Sequence, residues 1–245
     1  MAGSGRNPGH KTPGRNLADG GSTAMRHSLP GFLLLSIMGS AGAEVATPTI
    51  ADNTAGQGFF DTTEIVPAGG NAAILRGQAR LNAVLRAALI YDRHIGFSAS
   101  PLQLRISAAA LGGSATSATL AYAGPAYMVA GFPGSDPDTA YPIALGNDLK
   151  GSAISPGADD ITCTLNQDVD NATVLGAVSW YYGFDRQSGT DIDLIDTLLH
   201  ELMHGLGFMT VLQQDGSVPP LPGSATRDVF MPWLEYHGVG QLTDP

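Results

Sequence analysis

Residues 198–208, LLHELMHGLGF, limit what this chain can fold into more than any other stretch. Ile192, Ile195, Leu198, Leu199, Leu202, Met203 and Leu206 recur at helical spacing and form one broad apolar face. The pattern predicts a helix buried against a core. Thr190 or Asp191 is the expected cap, and Asp191, Asp193 and Asp196 suit the positive N-terminal end of its dipole. Gly205 and Gly207 are expected to end it, because glycine accepts the left-handed conformation that stops helices. His200 and His204 are four apart and therefore lie one above the other on the same face. Two imidazoles so placed can hold one zinc ion, with Glu201 in reach of a metal-bound water.

Catalytic zinc needs a third protein ligand and an open position for water. With the metal lowering the pKa of that water, Glu201 is the expected general base, and peptide-bond hydrolysis is the reaction class that fits. The sequence leaves the third ligand open. Gly207 supplies the turn of the HExxHxxGxxH pattern found in metzincin peptidases, but Thr210 stands at the ligand position, and threonine is a poor zinc ligand. The candidates to replace it are Asp228, Glu235 and His237, with Asp215 and His94 as further carriers of suitable donor atoms.

Of 245 residues, 32 are glycine, 16 are proline and only 14% are charged, a mix that predicts short elements joined by many loops. The segment from Glu44 to Gly70 reads as extended. A long amphipathic helix is expected over 72–94, with Leu81, Val84, Leu85, Ala88 and Leu89 inward and Arg76, Arg80, Arg86 and Arg93 on its polar side. Leu102–Ile106 alternates as a half-buried strand does. Ala118–Tyr122, Ala126–Val129, Tyr141–Leu145 and Ile161–Leu165 are further strand candidates, Val174–Tyr182 is a mixed apolar run, and Asp228–Tyr236 reads as a short helix. No fixed-period repeat is present, which argues against solenoids and propellers.

The N-terminus carries an export signal. Met25-Arg26-His27 forms a positive start, Phe32–Met38 an apolar stretch, and Ala41-Gly42-Ala43 a small-residue cleavage site. Residues 25–43 are therefore expected to be a signal peptide cleaved near Ala43, and 1–24 an unstructured extension or start-site artefact. The expected location is extracellular or periplasmic. Cleavage would remove four of the 12 basic residues and one of the 22 acidic ones, leaving a net charge near −13. That sign argues against nucleic acid and anionic membranes as partners, and no stretch reaches the ~20 apolar residues of a membrane span. Cys163 is the sole cysteine, so an intrachain disulfide is excluded and a buried apolar thiol is expected. Asp168–Asn171 and Gly134–Asp138 are acidic enough to hold structural calcium, although neither is a full EF-hand loop.

From about Ile50 onward the chain resembles a group of secreted bacterial zinc metallopeptidases, often with a protease-associated domain after the motif helix. The likeness is carried by Gly58-Phe59-Phe60-Asp61, Gly69-Gly70-Asn71, Gly77–Asn82, Ser114–Ala118, Tyr141-Pro142, Ala158–Ile161, Trp180–Gly183 and His200–Phe208. Arg227-Asp228-Val229-Phe230 is similar to that group's Tyr-Asp-Arg-Phe segment, with arginine for tyrosine. The resemblance implies an α+β, zincin-like (metzincin-like) domain over 44–245, with a twisted mixed sheet and a buried HExxH helix. It implies His200 and His204 as zinc ligands, Glu201 as catalytic base, and a protein or peptide as substrate. Thr210, Met203 where glycine is usual, and a chain that stops where similar proteins continue are the departures. They keep open a second expectation, a catalytically inactive secreted binding or surface module that retains the motif.

Overall fold

The computed structural model describes residues 46–52, 54–96, 101–236 and 240–241, all within one compact unit. The expected signal peptide at 25–43 and the extension expected at 1–24 lie outside the described residues. Strand β1 (Ala46–Ile50) leads through a 3-10 turn at Gly58–Phe60 into helix α1 (Arg76–Ile95). The chain returns as β2 (Leu102–Ala109), parallel to β1. There follow β3 (Ala121–Pro125), β4 (Met128–Val129), β5 (Thr139–Pro142), helix α2 (Ile143–Lys150) and β6 (Ile161–Asn166). The principal sheet has the order β1-β2-β6-β3, with β6 parallel to β2 and β3 antiparallel to β6 along the edge. Next, β7 (Trp180–Tyr181) pairs with β8 (Ile192–Asp193), which runs directly into helix α3 (Leu194–Gly205). A smaller sheet, β4-β5-β9, takes in β9 (Arg227–Asp228), and β10 (Glu235–Tyr236) pairs with β11 (Gly240–Gln241). The architecture is mixed α+β. Among the described residues no helix is long and apolar enough to cross a membrane.

Side-chain alternation gives the principal sheet one greasy face. Leu102, Leu104, Ile106 and Ala108 of β2 are buried, and the register sets Leu104 beside Ile161, Ile106 beside Cys163 and Ala108 beside Leu165. The intervening Arg105 and Thr162 are exposed, and Ser107 bonds Thr164 at 2.8 Å on that second face. Helices α1 and α3 cover the apolar face: Leu81, Val84, Leu85, Leu194, Leu198 and Leu202 join the same core. Each such side chain contributes roughly 1.5–3 kcal/mol when fully buried. Cys163 is a free, buried thiol within this core, on the same strand face as Ile161 and Leu165.

Several expectations are corrected. The segment Tyr141–Leu145 is not one strand: β5 ends at Pro142 and α2 begins at Ile143. Asp228–Tyr236 is not a helix. It is β9, a 3-10 turn at Met231–Trp233 and β10, because Pro232 and the side-chain bonds of Asp228 hold a tight turn instead. Arg80 does not belong to the polar side of α1. It is only 2% exposed, donates to Gly58 O at 2.5 Å and to Asp170 Oδ2 at 2.8 Å, and lies 3.6 Å from Asp61. A buried guanidinium has to be paired, and the paired acids come from segments distant in sequence. Tyr182 completes the cluster by donating its hydroxyl to Asp170 at 2.5 Å, and burial pushes that phenol far above its usual pKa.

Gly205 shows how closely α3 sits on the sheet. A Cβ there would lie 2.4 Å from Ile161 Cγ2 and 2.7 Å from Cγ1 and Cδ1. Helix propensity alone would make Gly205→Ala stabilising by about 1 kcal/mol, but overpacking typically costs about 1–3 kcal/mol. We expect the clash to win and thermal denaturation to show a lowered Tm, partly restored in Gly205→Ala/Ile161→Ala by a coupling between the two sites. A stabilised single variant would contradict this packing.

Candidate metal centre

The helix that carries the motif is capped by Asp193, not by Thr190 or Asp191. Its Oδ1 accepts from Ile195 N at 2.9 Å and Asp196 N at 3.2 Å, while Asp191 accepts from Ser179 N. The cue was present, since Asp193 and Asp196 stand at the three-residue spacing of a capping box. Leu194, Ile195, Leu198 and Leu202 seat the helix on the core, and Tyr91 of α1 donates its hydroxyl to Leu199 O at 2.6 Å. The helix is therefore buried on one side only. His200 is exposed, and Glu201 and His204 are half-buried, so the motif faces outward.

At its C-terminal end the helix closes with Leu206 N to Leu202 O, Gly207 N to His204 O and Phe208 N to Met203 O, at 3.0–3.1 Å. Gly207 has φ +118°, a conformation that L side chains rarely adopt, and it turns the chain so that the carbonyl of Phe208 faces back. Gly205 remains helical, so the stop is made at Leu206–Gly207. His204 Nδ1 lies 2.8 Å from Phe208 O. A carbonyl can only accept, so Nδ1 carries a proton, and the tautomer with a single ring proton has its lone pair at Nε2.

That Nε2 atom accepts a hydrogen bond from Nε2 of His200, 3.2 Å away, and the two rings meet edge to face with centroids 4.8 Å apart; a metal shared by the two nitrogens would take the place of that proton. The donor set suits zinc. Two imidazole nitrogens brought this close are donors of the kind zinc takes, and His200 and His204 would be the residues to hold it. The carboxylate of Glu201 has no hydrogen-bond partner among the described residues. It lies near the Cys163 thiol, which burial pushes up to about 12 with the negative charge of Glu201 acting in the same direction. Cys163 thus remains a neutral thiol within the core.

The other candidate ligands are placed differently. Thr210 donates its hydroxyl to Asp228 Oδ2 at 2.8 Å and accepts from Leu212 N at 3.1 Å. Asp228 is 1% exposed and accepts four hydrogen bonds: Thr210 Oγ1 and Val211 N on one oxygen, Phe230 N and Met231 N on the other. His94 bonds Ile90 O within α1, and Asp215 closes a turn onto Ser217, whose hydroxyl and amide hold its carboxyl below the usual range. Glu235 lies in β10, and His237 lies outside the described residues. Among the described residues, no third His, Cys, Asp or Glu is grouped with His200 and His204.

The acidic segments considered for calcium are engaged within the chain. Asp168 accepts from Gly112 N at 2.8 Å, and Asp170 is paired with Arg80. Asp136 accepts from Asp138 N and pairs with Arg227 at 3.2 Å. Sequence reasoning missed the carbonyl of Phe208 as the partner of His204; the glycine at 207, which forces a turn back on the helix end, was its one local sign. Comparison of the chain with family models, curated proteins and solved structures gave no match.

Proposed function

We propose that the chain is a secreted zinc-dependent metalloendopeptidase of zincin-like fold, with His200 and His204 as metal ligands and Glu201 as the catalytic base. The observation that carries this reading is the approach of two Nε2 atoms to 3.2 Å, one of them left with its lone pair because the Phe208 carbonyl holds the ring proton at Nδ1, on the helix that also carries Glu201. Bound zinc supplies Lewis-acid polarisation and brings the pKa of water toward neutrality. Glu201 takes a proton from the attacking water and delivers it to the leaving amine. Support for a peptide substrate comes from β3, antiparallel to β6 and packed against α3; among the described residues no strand pairs with its outer side, the kind of edge an extended chain adds to. Pro125 within it is a residue that edge strands tolerate.

Purified protein is expected to bind close to one zinc per chain, and His200→Ala or His204→Ala is expected to abolish that binding with little loss of fold, since both side chains face outward. Metal analysis after dialysis, with circular dichroism beside it, makes the measurement; full zinc occupancy in both variants would sink the reading. The rival, a secreted binding module that retains the motif without turnover, draws its support from Thr210. Its hydroxyl stands at the usual ligand position and is committed to Asp228.

A further inference from the structure

We propose that Asp228 is a positioning residue that sets the imidazole of His204, and not the missing metal ligand. The inference rests on His204 being a ligand of the centre described above. A carboxylate offers about four lone-pair positions, and in Asp228 four donors fill them at 2.7–2.8 Å. Its backbone amide is also directed at Met231 Sδ, 3.3 Å away. No acceptor position is left for a cation, and burial to 1% exposure makes loss of any donor costly.

The two sets of donors come from two loop segments on either side of β9. One is the loop leaving α3, at Thr210 and Val211; the other is the turn after β9, at Phe230 and Met231. Asp228 ties them together. Phe208 then lies between two fixed points, the helix end through its amide bond to Met203 O and the tied loop two residues later. Its ring also packs edge to face on Phe230, centroids 5.0 Å apart. The carbonyl of Phe208, held in this way, selects the Nδ1-protonated form of His204 and aims Nε2 at His200. Partners that orient a metal-ligating histidine commonly govern affinity by 10–100-fold, and Asp228 acts one step behind such a partner.

The test uses the full chain with Asp228→Asn, Asp228→His and Thr210→Val. In metal-free protein, nitrogen NMR of the imidazoles is expected to show His204 protonated at Nδ1 in the wild type and a mixture of tautomers in Thr210→Val, which loses one of the four bonds and folds. Zinc titration against a chelator is expected to show affinity lowered about tenfold in Asp228→Asn and less in Thr210→Val. Asp228→His should bind worse than wild type. If Asp228 is instead a direct ligand, Asp228→His retains zinc at wild-type affinity and the proposal is overturned. An unchanged His204 tautomer in Thr210→Val, with unchanged zinc affinity, overturns it as well. Failure of the wild type to bind zinc would remove the metal reading, while the tautomer measurement would still decide whether Asp228 orients His204.

Discussion

Glu201→Gln is expected to hold zinc at the wild-type level and to lose peptide hydrolysis by about a hundred- to ten-thousand-fold. Glutamine matches the side chain in size, and Glu201 gives up no hydrogen bond or ion pair among the described residues when its charge is removed. Stability should therefore change by no more than about 0.5 kcal/mol, as for an ordinary surface substitution. This separates the base from the ligands: the histidine variants lose metal and turnover together, whereas Glu201→Gln loses turnover alone. Hydrolysis of a broad peptide library, measured beside zinc content, makes the comparison. An active Glu201→Gln would contradict the assigned base. Wild-type protein that binds zinc and cleaves nothing in the library would favour the binding-module reading.

The largest expected effect on stability lies away from the metal centre. Asp170→Ala removes the carboxylate that Arg80 meets at 2.8 Å, in a setting where the two side chains are 2% and 8% exposed. Breaking a buried pair by removing one partner costs about 3–5 kcal/mol, because the remaining charge stays buried. Asp61, 3.6 Å from Arg80, retains some compensation, so the lower end, about 3 kcal/mol, is expected. For a domain of this size that corresponds to a fall in Tm of roughly 10 °C. The control is Arg186→Ala, which breaks an ion pair of nearly the same length, 2.9 Å to Asp196, with side chains 72% and 46% exposed. Surface pairs contribute about 0–1 kcal/mol, so the control should barely shift the melting curve. Equal shifts would mean that burial of Arg80 is not what gives its pair weight.

The two predictions depend on different parts of what could be read from the residues. The HExxH spacing was legible because an α-helix brings positions four apart together whatever surrounds it, and α3 does so for His200 and His204. The inward face of α1 and the alternation of β2 were legible for the same reason: periodicity of 3.6 or 2 is a local property. Arg80 was misread because helical spacing places it on a polar stripe, and only the approach of Asp61 and Asp170 turns that stripe into a buried contact. The short helix α2 was missed since Tyr141–Leu145 is as apolar as a strand, and Gly151, with φ 74°, ends the helix without a longer amphipathic pattern. The stretch after the motif was misread as helix because its apolar residues answer to the side chain of Asp228, not to their own spacing.

By itself, then, the sequence determined two amphipathic helices, an alternating strand and two histidines brought to one helical face by their spacing. These follow from backbone geometry acting over a few residues. Tertiary structure alone decided that the motif faces outward, that His204 is turned by the carbonyl of Phe208, and that Asp228 is consumed in tying the loops behind it. Such outcomes depend on which donors reach a buried acceptor across gaps of 17 or 18 residues in the chain, and no local rule of spacing encodes that encounter.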